Sequence, residues 1–193
     1  MHPANRIFVQ DGIYDEFLAR LVDAASKLKV GNGLDSETSV GPLIEQSAID
    51  KVERHVGDAV ARGGEVILGG DGLGGLFWQP TVITGVTADA AMSREETFGP
   101  VAGIARFATE DEAVRAANGT PYGLAAYYYT RDMGRIWRLA EALEYGIHGI
   151  NTGFVSSEVV PFGGVKESGI GREGSKYGIE EWLEIKYLAM AGV

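Results

Sequence analysis

The chain has 193 residues and 45% hydrophobic content, enough for one well-buried body of ordinary globular composition. Seventeen basic residues against 27 acidic ones give a net charge of −10, which disfavours partners held through basic patches, nucleic acid and anionic membranes alike. The absence of cysteine excludes disulfides, thiolate metal sites and a thiol nucleophile from these residues, no apolar run approaches the ~20 residues of a bilayer span, and Met1–Arg6 carries no apolar signal region, so a cytoplasmic protein is expected.

Arg6 to Gln10 alternates apolar and polar residues and stops at Asp11-Gly12, which predicts a strand ending in a turn. Ile13, Phe17, Leu21 and Leu28 recur at helical spacing, and Val30-Gly31-Asn32-Gly33 closes that helix. Gly41-Pro42-Leu43-Ile44 reads as an extended link. A second amphipathic helix places Ile49, Val52, Val56 and Val60 on one face and ends at Gly63-Gly64; His55 on it reads as solvated or half-buried. Glu65 to Leu68 is a short strand. Phe77 to Ile83 follows a glycine loop, and Pro80 predicts a sheet edge or an extended crossing segment there. Val101 to Phe107 is another strand. Thr109-Glu110-Asp111-Glu112 forms a capping box for a helix running to about Asn118. Leu124 to Tyr129 (strand), Asp132 to Leu143 (helix) and Ile147 to Asn151 (strand) follow. A glycine-bearing loop then covers roughly Thr152 to Gly178, and Leu183 to Met190 reads as a closing aromatic-rich strand. This alternation predicts an α/β fold with a mainly parallel sheet covered by helices on both faces.

Two segments match G-x-G-x-x-G, at Gly70, Gly72, Gly75 and at Gly169, Gly171, Gly174, but neither sits between a strand and a helix start. His2, His55 and His148 lie far apart, so no metal site is expected. Two segments point to chemistry. Arg94-Glu95-Glu96-Thr97-Phe98-Gly99-Pro100 is either a capped turn, or a carboxylate for sugar hydroxyls beside a ring that packs on a flat heterocycle. Asn151 to Ser157 followed by Pro161-Phe162-Gly163-Gly164-Val165-Lys166-Glu167-Ser168-Gly169 is either an ordered surface loop or the lining of a small pocket after a parallel strand.

Glu95 to Pro100 resembles the Glu-Glu-x-Phe-Gly-Pro motif of the aldehyde dehydrogenase superfamily. Gly41 to Ile44, Asn118 to Ala125, Gly149-Ile150-Asn151 and Pro161 to Gly169 resemble further stretches of it in the same order. Ser156-Ser157 and Gly171 to Glu180 resemble the succinate-semialdehyde branch. The resemblance implies that residues 1–180 are part of a catalytic domain and that 181–193 form an oligomerisation strand pairing with a second copy. It implies that Glu96 holds the nicotinamide ribose and Phe98 packs beside the nicotinamide of NAD or NADP. Ser156 would then bind the distal carboxylate of a small anionic aldehyde, and Phe162 would wall its tunnel. In such an enzyme a thiolate attacks the aldehyde, hydride passes to the nicotinamide, and water hydrolyses the thioester. In the family the nucleophile precedes a stretch like Ala4-Asn5-Arg6, so Met1 stands in its place, with the general-base Glu and the nucleotide-binding domain further upstream. The expectation is a C-terminal fragment that contains no catalytic residue, binds cofactor weakly and is inactive alone. A non-catalytic assembly module, or a dehydrogenase for another aldehyde, remains open. The resemblance further implies that the Glu96/Phe98 turn and the Ser156–Phe162 loop face a common cleft.

Overall fold

In the computed structural model, which describes residues 4–192, β1 (Ile7–Gln10) passes through one 3-10 turn into α1 (Tyr14–Ser26). Then come α2 (Gln46–Ala61), β2 (Glu65–Leu68), the hairpin β3 (Gly72–Gly74) and β4 (Phe77–Trp78), β5 (Thr81–Thr84), the one-turn α3 (Ala91–Arg94) and β6 (Val101–Phe107). Four of these strands form a sheet in the order β1-β6-β5-β2. β6 runs parallel to both β1 and β5, while β2 is antiparallel to β5.

The side-chain alternation of β5 shows how this sheet is covered. Ile83 joins Ile49, Val52, Val56, Ala59 and Met92 in one buried cluster, and its neighbour Val82 joins Val9, Tyr14 and Ile104 in another. Successive residues of a strand point to opposite faces, so α2 with α3 covers one face and α1 the other. Full burial of each such aliphatic side chain contributes about 1.5–3 kcal/mol.

Two local expectations are corrected here. β5 is an interior strand, and Pro80 sits just outside it, where its missing N–H interrupts no ladder bond. His55 is fully buried, whereas Val60, assigned to the apolar face, is 47% exposed. The buried stripe of α2 runs through Ile49, Val52, His55, Val56 and Ala59, and a count of aliphatic residues alone misplaces it.

α4 (Glu110–Asn118) opens with the expected hydroxyl cap, the Glu112 N–H donating to Thr109 Oγ1 at 3.3 Å, while the Glu112 carboxylate reaches one residue further back and accepts from the Ala108 N–H at 2.9 Å. After it come β7 (Tyr122–Gly123), β8 (Ala125–Tyr128), α5 (Met133–Ala142), β9 (Ile147–Ile150) and β10 (Val165–Lys166). β8 and β9 pair in parallel, and β10 pairs antiparallel with β7. Asp132 caps α5 by accepting from the Arg135 N–H at 3.1 Å. The chain divides into two compact units, residues 1–116 and 117–193. Among the described residues, no helix is long and apolar enough to cross a membrane.

Residues 183–192, where the resemblance implied a strand pairing with a second copy, carry no regular structure in this single chain and are exposed throughout. A strand needs a partner for its N–H and C=O groups, and this segment has no ladder within the chain.

Candidate functional site

Glu95 and Glu96, adjacent in sequence, have different surroundings. Glu95 turns back onto α2, where its carboxylate accepts from Arg54 Nη2 at 2.6 Å and Nη1 at 3.4 Å and lies 3.3 Å from His55 Nε2. These contacts, Arg54 first and His55 second, hold the Glu95 carboxyl down to about 2. Glu96 is exposed. Thr97 is buried, with its hydroxyl 3.0 Å from His55 Nδ1 and its N–H donating to Asn5 Oδ1 at 3.1 Å. Phe98 then enters the left-handed region at φ +50 with its ring 65% exposed.

That backbone conformation costs a non-glycine residue about 1–3 kcal/mol and persists only where the surroundings enforce it. Here they do so from two sides. Asn5 donates to Met92 O at 2.9 Å and to Glu95 O at 3.1 Å in addition to accepting from Thr97. From α2, Asp58 accepts the Ala91 N–H at 2.6 Å, capping α3, and also accepts from Arg62 Nε at 3.0 Å. These bonds, that from Ala91 first, hold the Asp58 carboxyl below its ordinary value. One turn of α2, through Arg54, His55 and Asp58, therefore grips both ends of the segment 91–97. What this leaves outward is the Glu96 carboxylate and the Phe98 ring. An exposed carboxylate and an exposed ring two residues apart on a held turn are groups suited to sugar hydroxyls and a flat heterocycle.

Ser156 and Phe162 lie together in the second unit, on the loop after β9. Asn151, at φ +55, opens this loop; its side chain accepts from the Thr130 N–H at 2.9 Å and donates to Thr130 O at 2.8 Å, pinning the end of β9 to the end of β8. Ser156 is exposed and Phe162 half-buried. The backbone of Phe162 is held by two hydrogen bonds with Glu173, at 2.9 and 2.8 Å, and Ser175 N–H donates to Glu158 O at 3.0 Å. Arg172 Nη1 donates to Gly164 O at 2.8 Å and to Gly171 O at 2.7 Å. The segment 171–175 thus straps the loop 158–164. Gly163 is required for that approach, because a Cβ there would stand 2.5 Å from Gly171 O.

The expected site residues accordingly form two groups, Glu96 with Phe98 in the first unit and Ser156 with Phe162 in the second. Met1, expected at the position of the nucleophile, lies outside the described residues. Sequence reasoning missed Arg54, His55, Asp58 and Thr97 as supports of the turn; they come from a helix some 40 residues away and from within the motif, and no local pattern links them. The glycine matches are both turns: Gly70 to Gly75 lie in and beside the β3–β4 hairpin, and Gly169, Gly171 and Gly174 have positive φ in the loop that follows β10. Among the described residues, no three His, Asp or Glu side chains gather where a metal ion could be held.

Residues 3–188 match the aldehyde dehydrogenase family. The chain is 55% identical over 188 residues to a glutarate-semialdehyde dehydrogenase of Pseudomonas putida, covering 97% of this chain and 39% of the relative. It is 55% identical over 189 residues to the succinate-semialdehyde dehydrogenase (NADP(+)) of Escherichia coli, with the same coverage of 97% and 39%. Its fold superposes on a crystal structure of succinate-semialdehyde dehydrogenase from Burkholderia pseudomallei with a TM-score of 0.93 at 57% identity, over 96% of this chain and 39% of that one. The chain spans about two fifths of the length of the curated relatives it matches. A family match over nearly all its residues, on a fold shared with solved members, means that the chain belongs to the aldehyde dehydrogenase family.

Proposed function

We propose that this chain is the C-terminal part of an NAD(P)-dependent aldehyde dehydrogenase that oxidises a short aldehyde bearing a distal carboxylate, succinic semialdehyde foremost. The observation that carries the reading is the turn at residues 95–98, where a chain of this family exposes a carboxylate at Glu96 and an aromatic side chain at Phe98, two residues apart. Glu96 accepts from the ribose hydroxyls on the nicotinamide side, and Phe98 packs against the ring. When bound, the nicotinamide takes up the hydride that leaves the aldehyde carbon. Ser156 donates its hydroxyl to the distal carboxylate, and Phe162 walls the path of the alkyl chain. The two relatives named for semialdehydes of dicarboxylic acids support an acid-bearing substrate, and the one named for NADP(+) keeps both nucleotides within the reading. The exposed segment 183–192, with Ile185 at 99% and Tyr187 at 87% exposure, serves in the same reading as an edge for pairing with a second copy.

The sequence contains no cysteine, so no thiolate nucleophile is available among these residues. Purified and mass-verified, the 193-residue polypeptide alone is therefore expected to form no NAD(P)H from succinic semialdehyde. A longer polypeptide carrying this chain is expected to do so, and failure there with every aldehyde tried overturns the reading. In that polypeptide, Ser156→Ala is expected to lower kcat/KM for acid-bearing aldehydes about 10-fold or more, the scale of a hydrogen bond to a charged group, and to leave a neutral aldehyde of equal length within about twofold. Equal losses for both substrates would remove Ser156 from the carboxylate subsite.

A further inference from the structure

We propose that His55 is a positioning residue for the cofactor side of the site, acting through the Thr97 hydroxyl and the Glu95 carboxylate on the turn that presents Glu96 and Phe98. The inference rests on the cofactor reading of those two residues and adds to it the part that holds them.

His55 is 0% exposed, yet both ring nitrogens have partners on the same short segment: Nδ1 lies 3.0 Å from Thr97 Oγ1 and Nε2 lies 3.3 Å from Glu95 Oε2. An ionised carboxylate only accepts hydrogen bonds, so Nε2 carries the proton and donates to Glu95. That leaves Nδ1 as an acceptor, and the Thr97 hydroxyl donates to it. The imidazole is therefore a spacer of one tautomer, bridging residues 95 and 97 while residue 96 is pushed outward between them. Arg54 fixes the far side of the Glu95 carboxylate, and Asn5 fixes the Thr97 N–H, so the bridge closes a frame with few remaining degrees of freedom. Phe98 follows directly in its left-handed conformation. A buried imidazole must pair its N–H and its lone pair somewhere, whatever its role; here both partners come from the one short segment that carries Glu96.

Thr97→Val keeps the shape of the side chain and removes the donor to Nδ1, and Thr97→Ser restores it. In the longer dehydrogenase polypeptide, Thr97→Val is expected to weaken NAD(P) binding 5- to 20-fold, read by quenching of protein fluorescence, with the aldehyde KM changed little and a modest drop in melting temperature from the unpaired Nδ1. Thr97→Ser is expected to return within about twofold of the wild type. A folded Thr97→Val variant with wild-type nucleotide affinity overturns the role of His55 and leaves the dehydrogenase reading standing, as does an aldehyde KM that rises in step. A wild-type polypeptide that binds neither nucleotide sinks the cofactor reading, and the role of His55 with it. A readout without activity or cofactor is the ring nitrogen spectrum of the 193-residue chain itself: His55 is expected as the Nε2–H tautomer, and the Nδ1–H tautomer would overturn the bridge.

Discussion

Two carboxylates that are neighbours in sequence divide into an anchor and an outward-facing group because one of them meets a cation and a buried imidazole. Glu95 is the anchor, and its titration follows from that: a carboxyl held down to about 2 stabilises the fold above its ordinary range near 4.5, and that contribution is lost as pH falls toward 2. His55 acts at a higher pH. Burial lowers its pKa below the ordinary 6.5, opposed by Glu95 and assisted by the nearby cations Arg54 and Lys51. The neutral ring is thus the form the fold accepts. Its contribution is complete above pH 6.5 and drains away as pH falls through the lowered value, since the unfolded chain then binds a proton that the folded chain refuses. The melting temperature is expected to drop between pH 7 and pH 5, with a shallower drop in His55→Gln; parallel profiles for the two proteins would show that the ring titrates elsewhere. At Phe98, glycine would remove the left-handed strain of about 1–3 kcal/mol and add about 0.5–1 kcal/mol of unfolded-state entropy, so Phe98→Gly is expected to leave stability unchanged or raise it, by up to about 2.5 kcal/mol.

At the scale of elements, α2 serves both as a wall of the core and as a support for the turn. Its apolar stripe packs on β5, and its Arg54, His55 and Asp58 hold residues 91–97. The two duties separate by mutation. Ile83→Ala empties a fully buried position at the centre of the sheet and is expected to cost about 2–5 kcal/mol in urea unfolding. Asp58→Ala removes the acceptor for the first N–H of α3 and is expected to cost only about 1–2 kcal/mol, the scale of a lost helix cap. A loss at Asp58 as large as that at Ile83 would mean that the cap is what keeps the buried Met92 of α3 seated in the core. The loop 158–164 has a corresponding support in 171–175, held by backbone pairing at Phe162 and Glu173 and by the Arg172 guanidinium.

Across the whole molecule the buried core is unevenly distributed. Among the described residues, the fully buried apolar side chains all lie between Val9 and Ile104. The second unit buries Gly123, Gly149 and Gly164 instead, and leaves Trp137, Phe154, Ile170 and Trp182 between 65% and 103% exposed. With little apolar surface removed from water, its strands are held mainly by backbone pairing. Amide hydrogen exchange is therefore expected to be slowest in β5 and β6 and markedly faster in β8 and β9; equal protection would mean that the second unit has a stability these contacts do not supply. The strand–helix alternation and the capped start of α4 were legible from residue order alone, because local periodicity and turn chemistry are properties of neighbours in sequence. The burial of His55, the different surroundings of Glu95 and Glu96, and the interior place of β5 were decided only in three dimensions. Each of these depends on which group from a distant segment arrives to donate, accept or cover, and sequence order contains no term for that.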